Sequence, residues 1–156
     1  MLTRLKVDGF KNLDGLDLRF GPFTCVAGPN GVGKSNLFDV IAFLSALAAK
    51  PLMEAALEVR GGDARRGDVA SLFRRVGDRT SDEMSFLVEF LIPEVGEDAL
   101  GQRATASMTF LRYELGLRYR PDDHIRTMGT LEIVRESMVH INRSNAKASL
   151  PFPHKK

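Results

Sequence analysis

Apolar and polar residues alternate from the start of the chain. In "LTRLKVDGF", residues 2 to 10, Leu2, Leu5 and Val7 are apolar, and Arg4, Lys6 and Asp8 stand between most of them. In "LDGLDLRF" Leu16, Leu18 and Phe20 share one face. A period of two belongs to half-buried strands, so the two segments, broken at Gly9, predict a pair of antiparallel strands. The short run "FTCVAG" ends in glycine and predicts a buried central strand. From Ser35 to Ala49 the period changes: Leu37, Val40, Ile41, Leu44, Leu47 and Ala48 recur at helical spacing. Pro51 closes this helix and opens a shorter one through Leu57, which Gly61 and Gly62 end.

"GGDARRGD" reads as a loop, and "DVASLFRRVG" as a short helical piece. Alternation then returns. "EMSFLVEFLIP" sets Met84, Phe86, Val88, Phe90 and Ile92 on one face. "TFLRYELGLRYR" sets Leu111, Tyr113, Leu115, Leu117 and Tyr119 against Arg112, Glu114, Arg118 and Arg120, and "TLEIVRESMVHIN" is a third candidate strand. This predicts an antiparallel sheet with one wet face rather than a parallel Rossmann core. The tail "NAKASLPFPHKK" has no periodicity and is expected to fray. The expected division is one lobe over residues 1–143 and an irregular tail over 144–156.

Composition narrows the class. At 44% hydrophobic and 27% charged residues, the chain has the make-up of a globular domain. A net charge of +2 does not by itself argue for nucleic acid or membrane. Arg60, Arg65, Arg66, Arg74, Arg75 and Arg79 cluster, with Asp63, Asp68 and Asp78 interspersed, which fits a solvated surface as well as a phosphate backbone. Cys25 is the only cysteine, so no internal disulfide forms, and its apolar neighbours predict a buried thiol. No stretch reaches the length of a membrane span and the N-terminus lacks a signal-like apolar core, so a soluble cytoplasmic domain with no membrane partner is expected.

The chemistry lies in Gly28-Pro29-Asn30-Gly31-Val32-Gly33-Lys34-Ser35, which fits G-x-x-x-x-G-K-[ST] in full, where a strand should end and a helix begin. Its glycines let the backbone approach an anion with no Cβ in the way. Successive N–H groups then form a nest for phosphate, reinforced by the helix N-terminus. Lys34 is placed to reach the β- and γ-phosphates, and the Ser35 hydroxyl to ligate Mg²⁺. Asn36, on the first helical turn, is placed to donate to the α-phosphate.

Hydrolysis needs more: a second carboxylate near Mg²⁺ and a positioned water or base. The nearest candidate is Glu89, ending "SFLVE", but the alternation there points it outward from an antiparallel strand. No Asn-Lys-x-Asp guanine reader occurs, and Gln102, the only glutamine, falls in a loop. His124, His140 and His154 have no ligand-spaced partners, and Ser35 has no paired base. The residues name no catalytic group.

The opening from Leu2 to Leu44, with its Gly9-Phe10-Lys11-Asn12 turn and "GPNGVGKSN" loop, resembles the N-terminal part of the ABC-class, AAA-type ATPase heads of RecF, SMC and OLD proteins. That resemblance implies an α/β fold with α+β character: a P-loop NTPase N-terminal lobe with a central strand–loop–helix unit and an antiparallel sheet beside it. It implies ATP and Mg²⁺ as cofactors, Lys11 near the base or phosphates, and a homodimer of heads closing over two nucleotides. It also implies action on DNA, in repair or phage defence, and a nuclease or effector partner. The family's signature sequence, Walker B glutamate and switch histidine do not appear, so the chain is expected to be a lobe of a longer ATPase and inactive alone. Two alternatives stay open: a nucleotide-binding switch that hydrolyses nothing, and a small P-loop phosphotransferase, against which the late antiparallel strands argue.

Overall fold

In the computed structural model, which describes residues 1–59, 69–97, 100–121, 129–142 and 150, the alternating N-terminal segments form β1 (Leu2–Asp8) and β2 (Leu16–Arg19). The helical spacing becomes α1 (Lys34–Leu47), and the segment after Pro51 becomes α2 (Leu52–Glu58). A 3-10 turn at Val69–Leu72 takes up the start of "DVASLFRRVG". The rest of that stretch enters a small hairpin of β3 (Arg75–Val76) and β4 (Arg79–Thr80). Then follow β5 (Glu83–Leu91), a second small hairpin of β6 (Val95–Glu97) and β7 (Arg103–Thr105), β8 (Phe110–Arg120) and β9 (Thr130–His140).

Five strands join in one sheet of order β2-β1-β5-β8-β9, antiparallel at every pairing. The predicted antiparallel sheet is therefore present. The strand expected over "FTCVAG" is not: residues 23–28 pair with no strand and are largely exposed, and Cys25 is exposed rather than buried. A strand holds only where its backbone groups meet a ladder partner, and none of the described strands lies beside this segment.

Period two explains how the sheet buries one side. Leu5 and Val7 of β1, Met84 and Phe86 of β5, and Leu115 and Leu117 of β8 point into a core completed by Leu37, Val40 and Phe43 of α1. At its centre three rings meet. Phe10 and Phe86 stand 5.9 Å apart edge to face, and Phe43 lies 6.3 Å and 5.8 Å from them. Gly9, where β1 ends, takes φ 73°, and a Cβ there would overlap the Glu83 carbonyl oxygen of β5. The chain turns off the sheet here in a conformation and a space that only glycine fits.

The opposite face carries cross-strand ion pairs. Arg4 pairs with Asp17 at 2.8 Å, Arg120 with Glu132 at 2.7 Å, and Arg118 and Arg135 with Glu83 and Glu114. The Arg4 hydrogen bonds, helped by Lys6, hold Asp17 well below the usual carboxylate range.

On the β8–β9 pair the Tyr113 hydroxyl donates to Glu136 Oε1 at 2.7 Å. Burial first, and that carboxylate second, push the phenol up to about 12. A raised phenol favours the neutral form in the folded state. That contribution to stability is whole below the ordinary tyrosine range near 10 and is lost as pH rises through about 12. Alkaline titration of tyrosinate absorbance should show a transition near 12 that Tyr113→Phe removes. Persistence of that transition in the variant would assign it elsewhere.

Candidate functional site

The loop that matches the phosphate-binding pattern runs into α1 without a cap of the usual kind. Gly33 occupies the N-cap position in a left-handed conformation, φ 105° and ψ 8°, and no side chain caps the helix. The first bond of that turn is Leu37 N–H to the Gly33 carbonyl, 3.0 Å. The amides of Lys34, Ser35 and Asn36 therefore have no intrahelical acceptor, as the first N–H groups of any helix do not. They sit where the helix dipole is positive, which favours an anion.

Asn30, Gly31, Gly33, Lys34, Ser35 and Asn36 line a hollow of about 180 Å³, and Asn12, from the turn after β1, closes one side of it. Gly28, Pro29 and Val32 shape the loop without lining it. Lys34 Nζ donates to the carbonyls of Gly28 and Pro29 at 2.6 and 2.5 Å, which holds the ammonium over the loop. At Gly33 a Cβ would stand 2.9 Å from Asn12 Oδ1 and 3.2 Å from Leu13 Cδ2, so the close approach of the turn requires glycine as much as the positive φ does. Asn36 Nδ2 donates to Asn12 Oδ1 at 2.7 Å.

The other sequence candidates lie elsewhere. Lys11 does not line the hollow; its Nζ pairs with Asp39 Oδ2 of α1 at 2.8 Å and stands 5.6 Å from the Phe10 ring. Glu89 lies on an antiparallel strand as expected, but it is fully buried rather than pointing out to water. The alternation located its strand and face; what it could not show is that Arg4 and Arg112, opposite it on β1 and β8, close over the carboxylate. Arg112 Nη2 stands 2.7 Å and Arg4 Nη1 3.6 Å from Oε1. Glu89 does not line the hollow.

Gln102 is exposed, in the loop that leads into β7. His140 ends β9 with its ring 3.1 Å from Asn142 Oδ1, and His124 and His154 lie outside the described residues. Among the described residues no group of three or more histidine, cysteine or acidic side chains is placed to hold a metal. Of the arginine run, Arg74 pairs with Asp14 at 2.7 Å, Arg75 and Arg79 are exposed on the β3–β4 hairpin, and Arg60, Arg65 and Arg66 lie outside the described residues. The tail, residue 150 apart, lies outside them as well. No helix among the described residues is long and apolar enough to cross a membrane.

Sequence reasoning did not assign Asn12 a role. Its partner is 24 residues away, and only the fold brings the two carboxamides together.

A glycine-rich loop at an uncapped helix N-terminus, set against an antiparallel sheet, is the architecture of a P-loop lobe. Residues 23–134 match the family described as "AAA domain, putative AbiEii toxin, Type IV TA system", and the chain belongs to that family. It is similar to Structural maintenance of chromosomes protein 1 of Arabidopsis thaliana, 29% identical over 126 residues, covering 80% of this chain and 9% of that protein. It is similar to the DNA replication and repair protein RecF of Magnetococcus marinus, 31% identical over 117 residues, covering 68% of this chain and 27% of RecF. Over 41 residues, 26% of this chain and 8% of the relative, it is 46% identical to the OLD nuclease of Thermus scotoductus. The chain thus spans about a quarter of that RecF and less than a tenth of the other two.

Proposed function

We propose that this chain binds ATP with Mg²⁺ at residues Gly28 to Asn36, as the N-terminal lobe of a cytoplasmic ATPase head of the SMC, RecF and OLD kind. One observation carries the reading: a hollow at an uncapped helix N-terminus, lined by Lys34, Ser35 and glycine backbone. In it the free amides of Lys34, Ser35 and Asn36 donate to phosphate oxygens. Lys34 Nζ exchanges its two loop carbonyls for the β- and γ-phosphates. The donor set suits Mg²⁺, because that ion keeps most of its ligands as water and phosphate and needs one hydroxyl, that of Ser35, from this loop. Bound there, Mg²⁺ would neutralise charge on the phosphate oxygens.

Among the described residues no carboxylate lines the hollow. In this reading the lobe holds the nucleotide and other parts of the complete head supply the groups that cleave it. In the complete protein we expect two heads to close over ATP and to act on DNA, in repair or phage defence, with a nuclease or effector as partner.

Titration of the chain with a fluorescent ATP analogue in Mg²⁺ tests the reading. Lys34→Ala should weaken binding by about tenfold or more, the order of one lost hydrogen bond to a charged group, with the thermal unfolding curve unchanged. Equal affinity in parent and variant would refute the assignment. Phosphate release from the isolated chain should stay at background, and release that disappears with Lys34→Ala would show that the chain carries its own catalytic groups.

A further inference from the structure

Asn12 is held more firmly than a loop residue usually is. It lies between Phe10 and Leu13, both buried, and the turn is closed by Leu13 N–H to the Phe10 carbonyl at 2.8 Å. Lys11 N–H donates to the Leu72 carbonyl at 2.8 Å, which ties the same turn to the 3-10 segment. Two side-chain ties then join this turn to one face of α1: Asn12 to Asn36, and Lys11 to Asp39 one helical turn further on. The carboxamide of Asn12 is therefore fixed against the Gly33 backbone and beside Ser35 and Asn36, on the wall of the hollow. Its oxygen is occupied by Asn36 Nδ2. Its own Nδ2 group, with two N–H donors, donates to no group among the described residues.

We infer that Asn12 is a further ligand-binding residue of this site, donating from Nδ2 to a phosphate oxygen of the bound nucleotide while its Oδ1 holds Asn36 in place. The inference rests on the phosphate-binding reading of the loop and adds to it a contact from outside the motif, supplied by the turn that leaves the sheet. A donor carried on that turn also makes the sheet part of the nucleotide site.

The two functions of the carboxamide separate by substitution. Asn12→Asp keeps an oxygen to accept from Asn36 but loses the donor and sets a negative charge beside the phosphates. Asn12→Ala loses both donor and acceptor without adding charge. With the fluorescent ATP analogue and Mg²⁺, Asn12→Ala should bind about tenfold more weakly than the parent, and Asn12→Asp more weakly still. Asp binding as tightly as the parent, or more tightly than Ala, would overturn the donor role and leave Asn12 as a holder of Asn36 only. Ala binding as tightly as the parent would overturn any role.

Lys34→Ala in the same titration separates this inference from the reading beneath it. Loss at Lys34 with no loss at Asn12 overturns the inference alone, whereas a parent chain that binds no analogue overturns both. A second measurement does not depend on the variants folding. In the parent, the side-chain amide resonances of Asn12 should shift on adding the analogue, and resonances that stay in place through saturation would refute the contact.

Discussion

Phe43→Ala is expected to lower the unfolding free energy by about 3–5 kcal/mol, the range for removing a fully buried aromatic ring. Phe43 is 0% exposed, and its ring packs against both Phe10 and Phe86, the residues that tie the turn after β1 and the centre of β5 into the core. Truncation leaves a cavity with three walls on three elements. The sheet and α1 cannot all move inward without breaking the strand register. A domain is stable by only about 5–15 kcal/mol, so the loss removes a large share of the total. Urea titration measures this. With a slope of about 2 kcal/mol per molar for a chain of this size, the midpoint should fall by roughly 2 M at an unchanged slope. Phe43→Leu, which keeps most of the apolar volume, should lose roughly 1–2 kcal/mol. A midpoint for Phe43→Ala within a few tenths of the parent's would mean that α1 does not depend on this core. The proposed nucleotide binding should fall in parallel with the folded fraction, since α1 carries Lys34 and Ser35 at its first turn.

Periodicity made most of this core legible. Leu37 and Val40 were read from helical spacing and Phe86, Leu115 and Leu117 from strand alternation, and all five are buried together. Each of these segments buries one face only, which is the condition under which a period reports structure. The run "FTCVAG" failed for the same reason in reverse. Continuous apolar sequence carries no period, and it becomes a strand only if neighbouring strands supply ladder bonds. Here Phe23, Thr24 and Cys25 remain exposed with none of the described strands beside them. The small hairpins β3–β4 and β6–β7 were missed because two or three residues are too short to show alternation.

The candidate site divides in the same way. The loop could be read because its chemistry is local: glycines, Lys34 and Ser35 act within eight consecutive residues. Contacts across the fold leave no such trace. Asn12 meets Asn36 through the turn after β1, and Lys11, which the resemblance placed near the base or phosphates, is drawn to Asp39 instead. Glu89 is the sharpest case, since its strand and its face were both predicted but its burial was not. An outward position on a sheet is wet only if the neighbouring strands carry short side chains. Here Arg4 and Arg112 flank it in register and lay their stems and guanidinium groups over it.

That cover gives the second large effect. Arg112→Ala is expected to cost about 2–3 kcal/mol of stability. Breaking a buried ion pair from one side costs about 3–5 kcal/mol because the remaining charge has lost its compensation, and the partial exposure of Arg112 lets water recover some of it. Glu89 Oε1 would lose both the Nη2 contact at 2.7 Å and the Nε contact at 3.1 Å. Only Arg4 would remain, at 3.6 Å, and its guanidinium is already committed to Asp17 at 2.8 Å. Oε2 has no hydrogen-bond partner to begin with, so the carboxylate has nothing in reserve. Removing both charges should be milder than removing one. The double change Glu89→Leu with Arg112→Leu replaces an ion pair by apolar contact and is expected to fall within about 1 kcal/mol of the parent, as such exchanges often do. Denaturant titration of the parent, Glu89→Leu, Arg112→Leu and the double variant gives the coupling directly. A double variant less stable than Arg112→Ala alone would show that Glu89 still stabilises this face through Arg4, and that an uncompensated charge is not the source of the loss.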